Sequence, residues 1–245
     1  MSEVLTSYRH KLLYEPEANA TRLAWDIKTK RADVDKTLEK FWKDRPSAAF
    51  DPAVLKQYPH AWLEIGAGSG TFATALGQIY PNWLGIALER CRMRGTRLAK
   101  RVERLGTKNV LGLRGNAIAT FMRDIPPQSL DRIYILYPCP WPKNSQRKNR
   151  WYLHSIMPQM VQSLKPGGWI YWASDQEFYI REAAWISENV YKMKTLAHGP
   201  LAPNEYNEVE KFPLGRSKFE ADFLQRGQPC HELVSQVVPE TIIPA

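Results

Sequence analysis

A glycine-rich segment, LEIGAGSG, and an acidic residue about 20 positions later have the types and spacing of a nucleotide-cofactor site. The segment supplies four predicted cofactor contacts, Glu64, Gly66, Gly68 and Gly70. Glycines there let the backbone turn tightly and approach a ligand closely. Glu89 ends the next apolar run, where a carboxylate accepts hydrogen bonds from a ribose diol. The alternative is that Glu89 is only a favourable acid in the first turn of the next helix.

The sixth position counted from Gly66 favours S-adenosylmethionine over NAD as the cofactor. A dinucleotide site would prefer a third glycine there, and this chain has Thr71. Two later segments complete the predicted cofactor site. Asn116 follows a third apolar run and is predicted to bind the adenine edge, with a helix N-cap as the alternative or additional role. Tyr137 follows a fourth run and opens the sequence YPCPWP.

The elements that position these residues alternate between short apolar runs and helical patterns. The apolar runs cover residues 62–65, 83–89, 110–114, 131–136 and 169–173, and the helices cover 72–80, 90–105 and 152–164. This alternation predicts βαβ units on a parallel sheet, whose ligands bind at the carboxyl ends of the strands. KPGG at 165–168 is predicted as a turn. Residues 191–196 and 230–238 are predicted to pair as an antiparallel edge.

Residues 1–58 differ in texture from the rest, because they are dense in charges of both signs and contain three prolines. A helical pattern covers residues 33–42. We therefore predict an N-terminal, mostly helical extension over 1–58 and a catalytic α/β domain over 59–245.

The composition indicates a globular enzyme with a basic surface. The chain has 245 residues, 44% of them hydrophobic, and a net charge of +9. That apolar content excludes a disordered chain. No apolar run approaches the roughly 18 residues that a membrane span needs, and no secretory signal is evident. Three separated cysteines and five scattered histidines show no disulfide or metal-site spacing. We expect a cytoplasmic monomer or homodimer without a metal.

Much of the positive charge falls on one predicted helix and one predicted loop, which suggests an RNA partner. Arginines recur along one side of the 90–105 helix. The helix is predicted to contribute Arg94, Arg97 and Arg101, and the loop Lys143, Arg147, Lys148 and Arg150, to phosphate binding. Tryptophans flank the loop cluster and could stack on an unpaired base. The alternative for the helix is an ordinary solvated face.

Five motifs in order make the chain resemble the bacterial tRNA (guanine-N7)-methyltransferases of TrmB type over residues 63–233. LEIGAGSG resembles the family's LEIGxGxG, and RGNA resembles RGDA. YPCPWPKNSQRKNR is similar to the family's F-P-D-P-W-P-K-x-R-H-x-K-R-R stretch, and LKPGGWIYWASDQEFY to LKPGG…TD-x-E-x-Y. The run from SKFE at 217–220 to GQP at 227–229 resembles T-x-Y-E…F…G-x-P.

The resemblance implies a class I, Rossmann-like methyltransferase with a seven-stranded, mostly parallel sheet flanked by helices. It implies methyl transfer from S-adenosylmethionine to N7 of the variable-loop guanine in tRNA. Asp175 and Glu220 are then the carboxylates expected to bind the guanine or to stabilise its developing charge. Glu220 together with Ser217 is expected to reach the guanine or the methionine end of the cofactor. The alternatives are an N-cap role for Asp175 and an exposed loop charge for Glu220.

One departure from the family concerns the catalytic set. Cys139 stands at the position of the family's P-D-P-W aspartate, so one carboxylate is missing from the predicted site. A thiol cannot replace a carboxylate as a two-point acceptor. Two alternatives therefore stay open. The chain is a methyltransferase of the same lineage with a different acceptor, or it is a catalytically silent RNA-binding paralogue.

Overall fold

A seven-stranded sheet organises residues 50–243, the part of the chain that the computed structural model describes. The strands are β1 (His60–Ile65), β2 (Trp83–Glu89), β3 (Val110–Arg114), β4 (Leu130–Leu136), β5 (Leu164–Ser174), β6 (Lys194–Pro200) and β7 (His231–Gln236). They lie in the order β3-β2-β1-β4-β5-β7-β6. Only β7 runs antiparallel to its neighbours within this sheet. The predicted fold class, a mostly parallel sheet with an antiparallel edge, is confirmed.

Six α-helices of the described region cover both faces of the sheet. They are α1 (Thr71–Ile79), α2 (Arg92–Arg104), α3 (Ala117–Arg123), α4 (Met157–Ser163), α5 (Glu177–Asn189) and α6 (Lys218–Gln225). Neighbouring residues of β1 divide between the faces: Trp62 packs with Phe72 of α1 and Leu98 of α2, whereas Leu63 packs with side chains of α3, α4 and α5. The central strands are buried on both faces, which explains their nearly continuous apolar sequence.

The segment from 152 to 168 differs from its prediction. Instead of one helix over 152–164, a short 3₁₀ turn (Trp151–Leu153) precedes α4, which has a proline in its first turn. KPGG is not a turn between elements but a bulge inside β5, because β5 pairs with β4 at Leu164 and again from Trp169 onward. Gly167 adopts a φ of +81°. A Cβ on Gly168 would press against the carbonyl oxygens of β4.

The N-terminal end of the described region packs on the core. A 3₁₀ turn (Pro52–Gln57), capped by Asp51, buries Leu55 in the same cluster as the centre of the sheet. The helix predicted over 33–42 lies outside the described residues, and a domain boundary at residue 58 stays a prediction. None of the helices in residues 50–243 is long and apolar enough to cross a membrane.

Candidate cofactor and acceptor site

A cavity of about 780 Å³ opens at the carboxyl ends of β1, β2 and β4. The chain leaves β1 toward β2 on one side and returns from β3 to β4 on the other, so the cavity lies at the point where the strand order reverses. Ligands of open α/β sheets bind at this place. Residues of the glycine segment, the end of β2 and the start of α3 form one side of the cavity. The loop after β4 and the start of α6 form the other.

The glycine segment crosses the end of β2 in a backbone conformation that residues with a Cβ rarely adopt. The amides of Gly66 and Ala67 both donate to the carbonyl oxygen of Leu88, at 2.8 and 2.9 Å. Gly66, Gly68 and Gly70 have φ values of +80°, +57° and +81°, which lie in the left-handed region. The backbone conformation therefore explains these glycines. At Gly70 a Cβ would also lie 2.5 Å from the Leu98 side chain.

Glu89 is buried at the floor of the cavity and already organises the loop above it. Its Oε2 accepts from the amide of Gly68 at 2.9 Å, and its Oε1 from the amide of Cys91 at 2.7 Å. The guanidinium of Arg94 lies 3.5 Å away. Oε2 keeps a further acceptor site, whereas the second bond at Oε1 is the long one from Arg94 at 3.5 Å, which a ribose hydroxyl could replace. The alternative assignment is wrong, because α2 begins at Arg92 and has no acid in its first turn.

Glu64 is a buried carboxyl with an unused acceptor. Burial, with a smaller contribution from the charge on Glu89, raises the pKa of Glu64 to about 8. Its Oε2 has no hydrogen-bond partner within the described part of the chain. Glu64 lines the cavity, and a buried carboxyl oxygen without a partner beside it fits a ligand ammonium. S-adenosylmethionine carries both an ammonium and a ribose diol, so Glu64 and Glu89 together fit this cofactor.

The raised pKa of Glu64 predicts a pH-dependent stability. The unfolded carboxyl ionises near 4.5, but the folded one ionises near 8, so the folded state binds more protons between these values. Stability should therefore fall as pH rises through this window, by on the order of a few kcal/mol from this group. Urea unfolding of the wild type and of Glu64→Gln at pH 5, 6.5 and 8 measures it. The variant should show the smaller fall, and equal slopes would contradict the assignment.

Asn116 and Tyr137 both line the cavity, but their polar groups have internal partners. The Asn116 Oδ1 accepts from the amide of Ile118 at 3.1 Å, so the residue caps α3 as well as facing the cavity. Adenine recognition by Asn116 stays a prediction. The Tyr137 hydroxyl donates to Glu220 Oε2 at 2.7 Å, and Tyr137 has a φ of +51°. The Tyr137 hydroxyl is therefore engaged with a buried carboxylate of the protein.

Glu220 is not available to a substrate, and the prediction that it binds guanine is wrong. Its side chain is fully buried, where it accepts hydrogen bonds from the guanidinium of Arg216 and from Tyr137. Burial raises the pKa of Glu220, but the bonds from Arg216 outweigh this effect and the pKa is lowered. The alternative of an exposed loop charge is wrong as well. Ser217 lines the cavity and caps α6, its Oγ accepting from the amide of Glu220.

Asp175 lies between β5 and α5 and is half-buried. Gln176 Nε2 donates to the Asp175 carboxylate. Asp175 is not among the described residues that line the cavity. The N-cap alternative is wrong, since Gln176 occupies that position and its amide bonds to Ser174 Oγ. Asp175 as a guanine acceptor stays a prediction. Cys139 is exposed and lines the acceptor side of the cavity.

The predicted cations divide into three groups. Arg94 and Arg97 line the cavity, together with Arg90, just before α2. Arg101 is half-buried and packs toward α1 near Gly70. In the loop after β4, Lys143 and Lys148 are exposed and Arg147 is half-exposed.

Arg150 is a correction, because it is only 2% exposed and cannot contact phosphate. It forms an ion pair with Glu182 of α5 at 2.5 Å.

Sequence reasoning missed several residues of the cavity wall. Lys218 and Phe219 at the start of α6 line it, as do Arg216, just before the helix, Trp151 and His154. For Arg216 a local signal existed, since it stands four residues before Glu220, the spacing of a helical ion pair. The residues of 50–243 contain no cluster of three or more His, Cys, Asp or Glu side chains that could hold a metal ion.

Strand order, the glycine loop after β1 and the acid that ends β2 are the features of a class I, Rossmann-like methyltransferase fold. The fold is similar to a solved structure titled "Structure of an Antibiotic Related Methyltransferase", with a TM-score of 0.54, 15% identity, and coverage of 78% of this chain and 96% of that one. Residues 59–233 match the family Methyltransf_4, described as "Putative methyltransferase". The chain belongs to this methyltransferase family.

Curated relatives carry a more specific name. A Nitrosospira multiformis protein called tRNA (guanine-N(7)-)-methyltransferase is 29% identical over 151 residues, which cover 62% of this chain and 66% of the relative. A Corynebacterium diphtheriae protein of the same name is 34% identical over 128 residues, covering 52% and 48%. The chain thus spans about half to two thirds of the length of these two relatives.

Proposed function

We propose that this chain transfers a methyl group from S-adenosylmethionine to N7 of a guanine in tRNA. The observation that carries the proposal is one cavity that joins an acidic cofactor side, Glu64 and Glu89, to a wall of arginines and an aromatic acceptor side. The names of the relatives supply the acceptor atom. A tRNA substrate would place the protein in the cytoplasm.

In the proposed reaction the chain binds and orients, and no side chain has to remove a proton. The lone pair of guanine N7 lies in the plane of the ring and carries no hydrogen, so an in-line attack needs proximity and favourable electrostatics. When bound, S-adenosylmethionine supplies an electrophilic methyl group. Glu89 would hold its ribose hydroxyls, Glu64 its ammonium and the backbone of the glycine segment its remaining length.

The positively charged side chains in the cavity wall are the reason to expect a polyanionic partner. Arg94 and Arg97 line the cavity from the first turns of α2, Arg90 lines it just before that helix, and Lys218 lines it at the start of α6. Lys143 and Lys148 extend the charge along the loop after β4. Such side chains hold phosphates, while a base enters between them.

The affinity for tRNA should fall steeply with salt. If about four phosphates are neutralised, raising the salt from 50 to 200 mM should weaken binding by about 150-fold. Each of Arg97→Gln and Lys143→Gln should lower the slope of log affinity against log salt by about one. The measurement is fluorescence anisotropy with labelled tRNA. Lys56→Gln, an exposed lysine before β1, is the matched control and should leave the slope unchanged. A flat dependence would contradict RNA binding.

The function is tested by incubating the full chain with labelled S-adenosylmethionine and unmodified tRNA, followed by mapping of the methylated base. Label in 7-methylguanine of the variable loop is the expected result. Label elsewhere would identify another acceptor. Tight cofactor binding without transfer to any tRNA would overturn the proposal.

One observation favours a second candidate, a methyltransferase of the same lineage with another acceptor. The carboxylates among the described cavity-lining residues are Glu64 and Glu89, both on the cofactor side. On the acceptor side, Cys139 replaces the aspartate of the resembled family, and Glu220 is held by Arg216. Recognition of the guanine N1–H and N2–H₂ edge then depends on Asp175 alone among the predicted carboxylates.

Restoring the acid separates the two candidates. Cys139→Asp should raise kcat/KM for unmodified tRNA by about tenfold if guanine is the acceptor, because the carboxylate adds a charged hydrogen bond to the base edge. Cys139→Asn, which has the same shape without the charge, is the matched control and should give a smaller gain. No gain from Cys139→Asp would favour the different acceptor.

A further inference from the structure

Arg150 is buried beneath the acceptor side of the cavity, and its guanidinium bonds to backbone rather than to solvent. Its Nε and Nη2 donate to the carbonyl oxygen of Trp141, at 3.2 and 3.0 Å, and its Nη2 also reaches the carbonyl oxygen of Pro142 at 3.3 Å. Its Nη1 donates to Glu182 Oε2. Glu182 also accepts from Tyr152 at 2.6 Å. The guanidinium therefore joins the loop after β4 to helix α5.

Trp141 needs such support because of its backbone. It has a φ of +46°, in the left-handed region that side chains other than glycine rarely adopt. A residue persists there only when its surroundings hold it. Trp141 lines the cavity together with Cys139 and Trp151. Prolines at 138, 140 and 142 stiffen the same loop and leave few amides to anchor it.

We propose that Arg150 is a positioning residue: its forked hydrogen bonds to the Trp141 carbonyl hold Trp141 in the cavity wall, where the indole stacks on the acceptor base. The stacking part rests on the proposed function. An unpaired base stacks on an aromatic ring with little dependence on its hydrogen-bonding edge. Stacking thereby provides a base contact at a site whose acceptor side has lost a carboxylate.

Position 150 requires the planar arrangement of donors in a guanidinium, and a positive charge alone is not sufficient. A guanidinium presents planar donors in several directions, while an ammonium is a compact point charge that cannot bridge two carbonyls and a carboxylate together. Arg150→Lys therefore keeps the charge and loses the clamp. It is preferable to Arg150→Ala, which would leave Glu182 buried and unpaired.

A double-mutant cycle tests whether Arg150 acts through Trp141. Arg150→Lys and Trp141→Ala should each lower kcat/KM for tRNA at least about tenfold, because small displacements of an oriented reactant are costly. The double variant should be no slower than Trp141→Ala, since the two effects share one cause. The cofactor Kd and the salt dependence of tRNA affinity should stay at wild-type values. Additive losses, or a reduced salt slope for Arg150→Lys, would overturn the inference.

A second readout does not depend on activity. With 5-fluorotryptophan incorporated, the fluorine resonance of Trp141 is assigned by Trp141→Phe. Arg150→Lys should shift or broaden this resonance, and Arg147→Lys, the matched change in the same loop, should leave it in place. If Arg150→Lys folds poorly, the charge-neutral double variant Arg150→Met/Glu182→Gln takes its place. It should shift or broaden the Trp141 resonance in the same way. An unmoved resonance would overturn the clamp. If the wild type methylates no tRNA, the proposed function fails, and this resonance alone decides the positioning role.

Discussion

Replacing Glu220 with alanine is expected to lower the free energy of unfolding by about 3 to 5 kcal/mol. The variant would leave the guanidinium of Arg216, which is fully buried, without its counter-charge. It would also remove the acceptor of the Tyr137 hydroxyl. Urea unfolding followed by circular dichroism measures the loss. Few surface substitutions approach this size.

Two controls separate the buried ion pair from a general effect of removing a carboxylate. Arg216→Met/Glu220→Met replaces both charges with apolar side chains of similar length and should recover most of the lost stability. Glu103→Ala removes an exposed glutamate of α2 and should change stability by no more than about 0.5 kcal/mol. A loss below about 1 kcal/mol for Glu220→Ala would show that the pair does not anchor α6.

Replacing Glu89 with alanine should weaken S-adenosylmethionine binding by about a hundredfold or more. Two charged hydrogen bonds to the ribose hydroxyls would be lost, each contributing about 1.5 to 3 kcal/mol. The amide of Gly68 would also lose its acceptor, so the glycine loop would be less well fixed before the ligand arrives. Isothermal titration calorimetry measures the Kd.

Glu89→Gln is the matched variant for this prediction. It keeps an acceptor oxygen and the shape of the side chain but loses the charge, so its affinity should lie between those of the wild type and Glu89→Ala. An unchanged Kd in Glu89→Ala would move the ribose away from β2, and the cofactor assignment of this side of the cavity would then be wrong.

The cofactor side was predictable because its determinants lie close together in the sequence. A glycine segment after one apolar run and an acid at the end of the next are local signals, and the predicted bounds of β2 (Trp83–Glu89) and β3 (Val110–Arg114) agree with the structure. The parallel sheet followed from the same alternation. Each strand could be located without knowing what it pairs with.

The acceptor side was less predictable because its determinants are distant partners. Arg150 looks like one member of a basic cluster, but its partner Glu182 lies 32 positions later. Glu220 looks like a free carboxylate, but the hydroxyl that binds it comes from a residue 83 positions earlier. The sequence shows that a side chain is ionisable, but it does not show whether that side chain lies on the surface or in a buried ion pair. Only the tertiary contacts distinguish the two cases.

The KPGG segment shows the same limit in the backbone. Pro166 and two glycines are typical of a turn, and nothing local indicates that Leu164 pairs with Leu130 of β4 before Trp169 pairs with Arg132. The pairing partner, not the propensity of the four residues, decides that the strand continues through them. Tertiary pairing overrides a local preference of this kind.

The position of β7 has a consequence for synthesis of the chain on the ribosome. β7 is the seventh strand in sequence but lies between β5 and β6 in space, so β6 cannot join the sheet until residues 231–236 have been translated. Helix α6, which supplies part of the acceptor wall, lies between β6 and β7 in the chain. A nascent chain that stops before β7 can form the cofactor side of the cavity, because domains fold as their segments emerge. It leaves the edge of β5 unpaired, so the acceptor wall is completed only after residues 231–236 have been translated.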